Sequence, residues 1–197
     1  MKPGWMKLWP LASSAGAFLA LAMLAAPQAH EASAPANELT LAGLRPGRDT
    51  LAAAEKRFGT KNRVTQDEAD DIKQWRDGCA GRSLRLEVDD QGVIQSVTVS
   101  SLEQRNPYCR EKDAASPLGI EQLKTGRGLT LGQTRKRVVA LYGEPNSEGP
   151  TTYEGREFEL LFYAFDWAGT DVPQVMEVTC EQGSGRVRKI TLAFPSL

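Results

Sequence analysis

The sequence predicts an α+β protein made of two tandem copies of one unit, each a short helix followed by a three- to four-stranded antiparallel sheet. Three observations predict it. The stretch from Leu44-Arg45-Pro46-Gly47 through Thr50 to Phe58-Gly59 is answered by Leu129-Thr130-Leu131-Gly132 through Thr134 to Tyr142-Gly143, with spacing that agrees to within one residue. Downstream, residues 89–99 match residues 182–192 at a constant offset of 93 (Gly92 to Gly185), with Thr98 and Thr191 and three apolar positions in step. Within each copy the apolar spacing changes from helical to period two, the mark of strands with one covered face. Self-similarity of this kind governs the choice of fold.

Taken in chain order, residues 1–36 read as a secretory signal and junction. Lys2 and Lys7 precede an apolar run from Leu11 to Ala26, which is shorter than the roughly 20 residues of a membrane helix. Small residues between Ala29 and Ala36 offer cleavage positions, so the expectation is a periplasmic or secreted protein without stable membrane insertion after cleavage. The first unit occupies residues 37–104. Asp49 or Thr50 can cap its helix by accepting first-turn amides, Leu51, Ala54 and Phe58 share a face, and Gly59 stops it. Ile72 to Trp75 is a first strand; Leu84, Leu86 and Val88 alternate with charged residues; a turn at Asp89 to Gly92 returns the chain through Val93 to Val99. Residues 105–124 form a linker, broken by Pro107 and Pro117.

The second unit, residues 125–197, uses the same parts. Thr134 is the cap, Val138, Leu141 and Tyr142 make the stripe, Gly143 ends the helix, and Pro145 prevents continuation. Phe158 to Phe165, Met176 to Cys180 and Val187 to Phe194 follow as strands, the last two joined by a Gly183/Gly185 turn.

The pattern Gly132-x-Thr134-x-x-x-Val138-x-x-x-Tyr142-Gly143-x-Pro145, followed by an aromatic strand and a hairpin ending Gly185-x-Val187-x-x-Ile190, resembles the SmpA/OmlA-like small lipoprotein of the outer-membrane barrel-assembly machine. Tandem pairing of such units resembles the beta-lactamase inhibitor protein family. The resemblance covers about residues 40–100 and 124–197, and it implies two units that together present a concave binding surface. The sequence departs from it in lacking a lipobox cysteine and in having Lys61 where the pattern has proline. No contact residue of either family matches a position here.

Composition narrows the function. With 24 basic and 25 acidic residues the chain lacks the net basic surface that displaces counterions from phosphates, so nucleic acid is not an expected partner. The single histidine, His30, lies in the cleavage region, which removes Ser-His and Cys-His dyads and any histidine-built metal site from the body of the protein. Asp89-Asp90 reads as a hairpin turn, and Asp67, Glu68, Asp70 and Asp71 as a solvated loop without calcium-loop spacing. Gly126-x-Gly128 lacks the lysine of a phosphate loop and reads as a connector. No catalytic residue, metal or cofactor is expected.

Of the three cysteines, Cys79 and Cys109 lie in Gly- and Pro-bearing loops and are the expected disulfide in an oxidising compartment, leaving Cys180 as a small buried hydrophobe. The strand Phe158 to Trp167 is apolar on both faces. One face should meet its helix; the other is covered by the first unit, by a second subunit or by a partner. Tyr163, Phe165 and Trp167, with Trp75 from the matching strand, are the expected anchors for an extracytoplasmic protein. The reading is a non-catalytic protein-binding module, with a carboxylate-type cell-wall hydrolase or an inhibitor of a secreted enzyme as alternatives.

Overall fold

Helix α1 runs Leu51–Phe58 and helix α2 runs Arg135–Tyr142, each preceded by a threonine and ended by a glycine. The structure, a computed structural model, describes residues 37–60, 63–64, 71–102, 109, 118–153, 155–165 and 174–194. These fall in one compact unit, Ala32–Leu197. The expected signal segment, His30, the acidic residues 67–70, Lys61 and Trp167 lie outside the described residues.

The threonines stand at the N-cap positions, but neither side chain caps its helix. The Asp49 carboxylate instead accepts the Arg45 amide at 2.8 Å. The first helical amides go to hairpin-turn carbonyls: Leu51 N–H donates to Gly92 O at 2.9 Å and Arg135 N–H to Gly185 O at 2.8 Å. Orphan donors of the first turn are thus used to dock each helix on a hairpin rather than to close a local cap. Both terminal glycines have positive φ with extended ψ, 69° and 179° at Gly59 and 80° and −169° at Gly143. That region is almost exclusive to glycine.

The strands are β1 (Arg63–Val64), β2 (Ile72–Asp77), β3 (Arg82–Val88), β4 (Ile94–Ser101), β5 (Ser147–Tyr153), β6 (Arg156–Phe165), β7 (Gln174–Glu181) and β8 (Val187–Ala193). They form one eight-stranded antiparallel sheet in the order β1-β2-β3-β4-β8-β7-β6-β5. This overturns the expected α+β architecture of two tandem helix-plus-sheet copies: the protein is mostly β, with two short helices among the described residues. The cause is the pairing of β4 with β8, in register from Ser96↔Ala193 to Ser100↔Lys189. A separate meander would leave the amides and carbonyls of β4 and of β8 as open edges. Joining them satisfies both and makes a single sheet. The offset of 93 becomes a contact at this seam, where the Thr98 and Thr191 hydroxyls lie 3.0 Å apart.

β1 and β5 have no counterpart in the sequence reading. β5 contains Gly149 and Pro150, which argue against a strand unless it lies at an edge, and the edge is where it lies.

Because paired residues share a face, the register fixes what each face carries. One row on the covered face runs Trp75, Leu84, Val99, Ile190, Val178, Leu161 across β2, β3, β4, β8, β7 and β6. All six are buried, and with Phe58 from α1 and Val138 and Tyr142 from α2 they belong to one continuous core. Leu118 and Leu123, in the stretch expected to be linker, are buried in the same core. Cys79 and Cys109 are joined by a disulfide, with Cα atoms 5.4 Å apart, and Cys180 is a free buried thiol. In the chain-entropy picture a bridge over this separation contributes about 3.5 kcal/mol. Asp77 shapes the loop, its Oδ1 accepting the amides of Cys79 at 2.9 Å and Ala80 at 2.8 Å.

Candidate functional site

Three of the aromatic residues expected to anchor a partner, Trp75, Tyr163 and Phe165, are turned to the covered face. Trp75 and Tyr163 are fully buried and Phe165 is 1% exposed. Each of the first two holds a helix end. Trp75 Nε1–H donates to the Gly59 carbonyl at 2.6 Å, its ring 6.2 Å from that of Phe58. Tyr163 Oη–H donates to the Gly143 carbonyl at 3.1 Å, its ring 5.8 Å from Tyr142. Burial, only partly opposed by Arg135, pushes the Tyr163 phenol up to about 12.

The opposite face is left open by both helices. Its central row crosses every strand: Val64, Gln74, Arg85, Thr98, Thr191, Glu177, Phe162, Ser147. The next row runs Arg76, Ser83, Ser100, Lys189, Thr179, Leu160, Gly149. The alternation that buries Leu84 and Val99 sends these neighbours to the other face, where Ser83, Ser100 and Thr179 are themselves buried and the arginines exposed. Small hydroxyl residues occupy the middle, so the twisted sheet forms a concavity of about 470 Å³ there. Ser83 and Ser100 hydroxyls are 2.7 Å apart, Ser96 Oγ–H donates to Glu87 Oε2 at 2.9 Å, and Arg85 bridges to Glu87 at 3.3 Å. Chemically the face changes along its length. Arg76 and Arg85 stand toward β2 and β3, hydroxyls fill the centre, and Leu160, Phe162, Ala164 and Val175 are half-buried toward β6 and β7.

Among the described residues, the carboxylates at the two ends of this face are too far apart for acid-base pairing. Glu87 and Glu177 lie three strands apart, roughly 14 Å at about 4.8 Å per strand, beyond the approximately 5–9.5 Å at which glycosidase carboxylates work. Glu148 and Glu159 are both engaged by Arg135, whose Nε lies 3.1 Å from Glu159 and whose Nη2 bonds to Glu148. Burial lowers the Arg135 pKa, but the two glutamates outweigh it and leave the guanidinium above its ordinary value. Cys180, behind this group, has its thiol pushed up to about 11 by burial, Glu159 adding to the rise. A thiol held neutral is a poor nucleophile. Among the described residues no group of three or more His, Cys, Asp or Glu side chains is arranged to hold a metal ion. None of their helices is long and apolar enough to cross a membrane.

No family model and no curated protein matches the sequence. Among solved structures, the chain is similar to a DUF4309 family protein of Bacillus subtilis, with 11% identity and a TM-score of 0.46 over 80% of this chain and 88% of that one. It is also similar to a cysteine-rich secretory protein of Staphylococcus aureus, with 15% identity and a TM-score of 0.42 over 81% of this chain. Of the latter protein it spans about half, 48%.

Proposed function

We propose that this chain is an exported, non-catalytic protein-binding module of the periplasm or extracellular space, and that its partner sits on the open face of the sheet. The observation that carries the reading is the concavity at the centre of that face, lined by half-buried Thr98 and Thr191, by Glu177 and Lys189 and at its floor by buried Ser83, Ser96 and Ser100, with arginines on one side and half-buried apolar residues on the other. An apolar patch beside polar, hydrogen-bonding groups is the composition of a protein interface. Export is supported by the charged and then apolar N-terminal sequence and by the disulfide, since such bonds persist in oxidising compartments. The resemblance of the Gly132 to Pro145 pattern to families that bind proteins points the same way.

The test is capture from an extracytoplasmic extract of the source cell by the mature chain, by Arg76→Glu/Arg85→Glu, and by Lys136→Glu on the exposed face of α2. Both arginines are exposed, so the double variant should keep its fold and circular dichroism while losing at least about tenfold in partner retained, a rim-charge effect of about 1.4 kcal/mol. The α2 variant should bind as wild type. Equal capture by all three refutes the open face as the interface.

A further inference from the structure

The Gly126-x-Gly128 stretch, a mere connector by sequence, receives a carboxylate. Glu38 is 2% exposed, and both its oxygens are fully engaged. Oε1 accepts amides from Leu39 at 2.8 Å, Thr40 at 3.0 Å and Gly126 at 3.1 Å. Oε2 accepts the Arg127 amide at 3.0 Å and the Tyr142 hydroxyl at 2.8 Å. An ionised carboxylate only accepts, so Tyr142 donates here, and in its 2.7 Å contact with Thr125 the threonine hydroxyl is the donor. Thr125 Oγ1 in turn accepts the Leu129 amide at 3.0 Å. The proton order is therefore fixed along the chain of three groups.

Three features make this a built receptor rather than a chance contact. A Cβ at Gly126 would stand 2.6 Å from Glu38 Oε1 and 2.7 Å from Thr40 Oγ1, so a side chain there would push the carboxylate off its present seat. The Arg127 guanidinium carbon lies 5.9 Å over the Tyr142 ring, adding positive charge beside the site. Beyond the carboxylate, the segment that brings it is held in extended pairing: Leu41 bridges to Thr125, Gly126 N–H also donates to Thr40 O, and Ala42 N–H donates to Lys124 O, both at 3.0 Å. Burial and the nearby Glu38 push the Tyr142 phenol up, which keeps it a donor.

We propose that Gly126, Arg127 and Tyr142 form a carboxylate-binding site that takes an acidic side chain presented on an extended segment, and that the chain fills it with its own Glu38. Residues 37–42 are then an internal ligand, anchored by one carboxylate that takes two amides from a turn 88 and 89 positions away and the Tyr142 hydroxyl 104 positions away.

Glu38→Ala tests this, because it deletes the atoms that acetate supplies. Sodium acetate is titrated against sodium chloride at constant ionic strength, following the thermal midpoint and the amide resonances of Gly126 and Arg127. In E38A acetate should shift those two resonances saturably and raise Tm with the logarithmic dependence on acetate that the same dissociation constant gives, as linkage to a folded-state site requires. Wild type should show neither effect, and Tyr142→Phe in the E38A background should weaken the acetate response several-fold. Equal action on wild type and E38A, or resonance shifts at Gly126 and Arg127 that do not saturate, overturns the proposal. If E38A does not fold alone, the readout is refolding yield in acetate against chloride, and a lack of recovery overturns it equally.

Discussion

Replacing Trp75 by alanine separates a structural aromatic from a partner anchor. The side chain is fully buried, stacked obliquely on Phe58, and donates through Nε1 to the Gly59 carbonyl. Truncating a buried tryptophan costs about 3–5 kcal/mol in transfer and cavity terms. Gly59 is exposed, so water can take over its carbonyl and the lost hydrogen bond adds only about 1 kcal/mol. Against a total stability of about 5–15 kcal/mol, W75A should be severely weakened or unfolded. In urea, at an m-value of about 2 kcal/mol/M, the midpoint should fall by about 2–3 M. Trp75→Phe keeps most of the ring and should lose about half as much. An alanine variant that unfolds within about 1 kcal/mol of wild type, yet loses its partner, would refute the structural assignment and restore Trp75 as an anchor.

Gly59→Ala and Gly143→Ala should each cost about 1–3 kcal/mol by urea titration, because both positions combine positive φ with extended ψ. Nothing stands near a Cβ at Gly59, so a stabilisation by G59A would show that the backbone is not held there. Stability should also fall with rising pH in the alkaline range. Cys180 and Tyr163 have folded values of about 11 and 12, raised from 9.0 and 10.0. Between those limits the unfolded chain has released protons that the native chain retains, so the contribution is complete below about pH 9 and is lost as pH rises through the folded values. The slope from each group is less than about 1.4 kcal/mol per pH unit. Urea midpoints from pH 8 to 11 should decline less steeply in Cys180→Ala than in wild type; identical slopes would contradict the assignment.

The parts of the molecule set by neighbouring residues were legible, and those set by distant pairing were not. Thr50 and Gly59, and Thr134 and Gly143, bracket the two helices as the sequence suggests, since cap position and glycine stop are local. The hairpin turns at Asp89 to Gly92 and Gly183 to Gly185 are local too. What the sequence hides is the β4–β8 seam. Either strand alone reads as one member of a half-covered meander, and no nearby residue announces its second partner. One signal was present: on β4 the outward residues Ser96, Thr98 and Ser100 are small and uncharged, unusual for a solvated edge that needs charge to resist further pairing. The same distance hides Glu38, whose receptor amides lie in a stretch that looks like a featureless connector. The doubly apolar strand at residues 158–165 was legible as unusual, but its assignment to a partner face was not. Register places Tyr163 and Phe165 against α2 and leaves Leu160 and Phe162 on the open side.

That register also explains why the two faces divide structural and surface roles so sharply. On the covered side, Trp75 and Tyr163 use their polar tips to hold the carbonyl at each helix end, so the large rings are committed to fixing α1 and α2 on the sheet. The seam strands then need no bulk outward. Thr98 and Thr191 satisfy each other, as do Ser83 and Ser100, which leaves the centre of the open face shallow, hydrogen-bonded and positioned on the two most interior strands. A surface backed by such a core changes little in shape when covered, so a partner loses little free energy in ordering it. On the proposed reading, specificity comes from the flanks, where Arg76 and Arg85 on one side and Leu160 and Phe162 on the other differ in chemistry and would set which way round a partner lies.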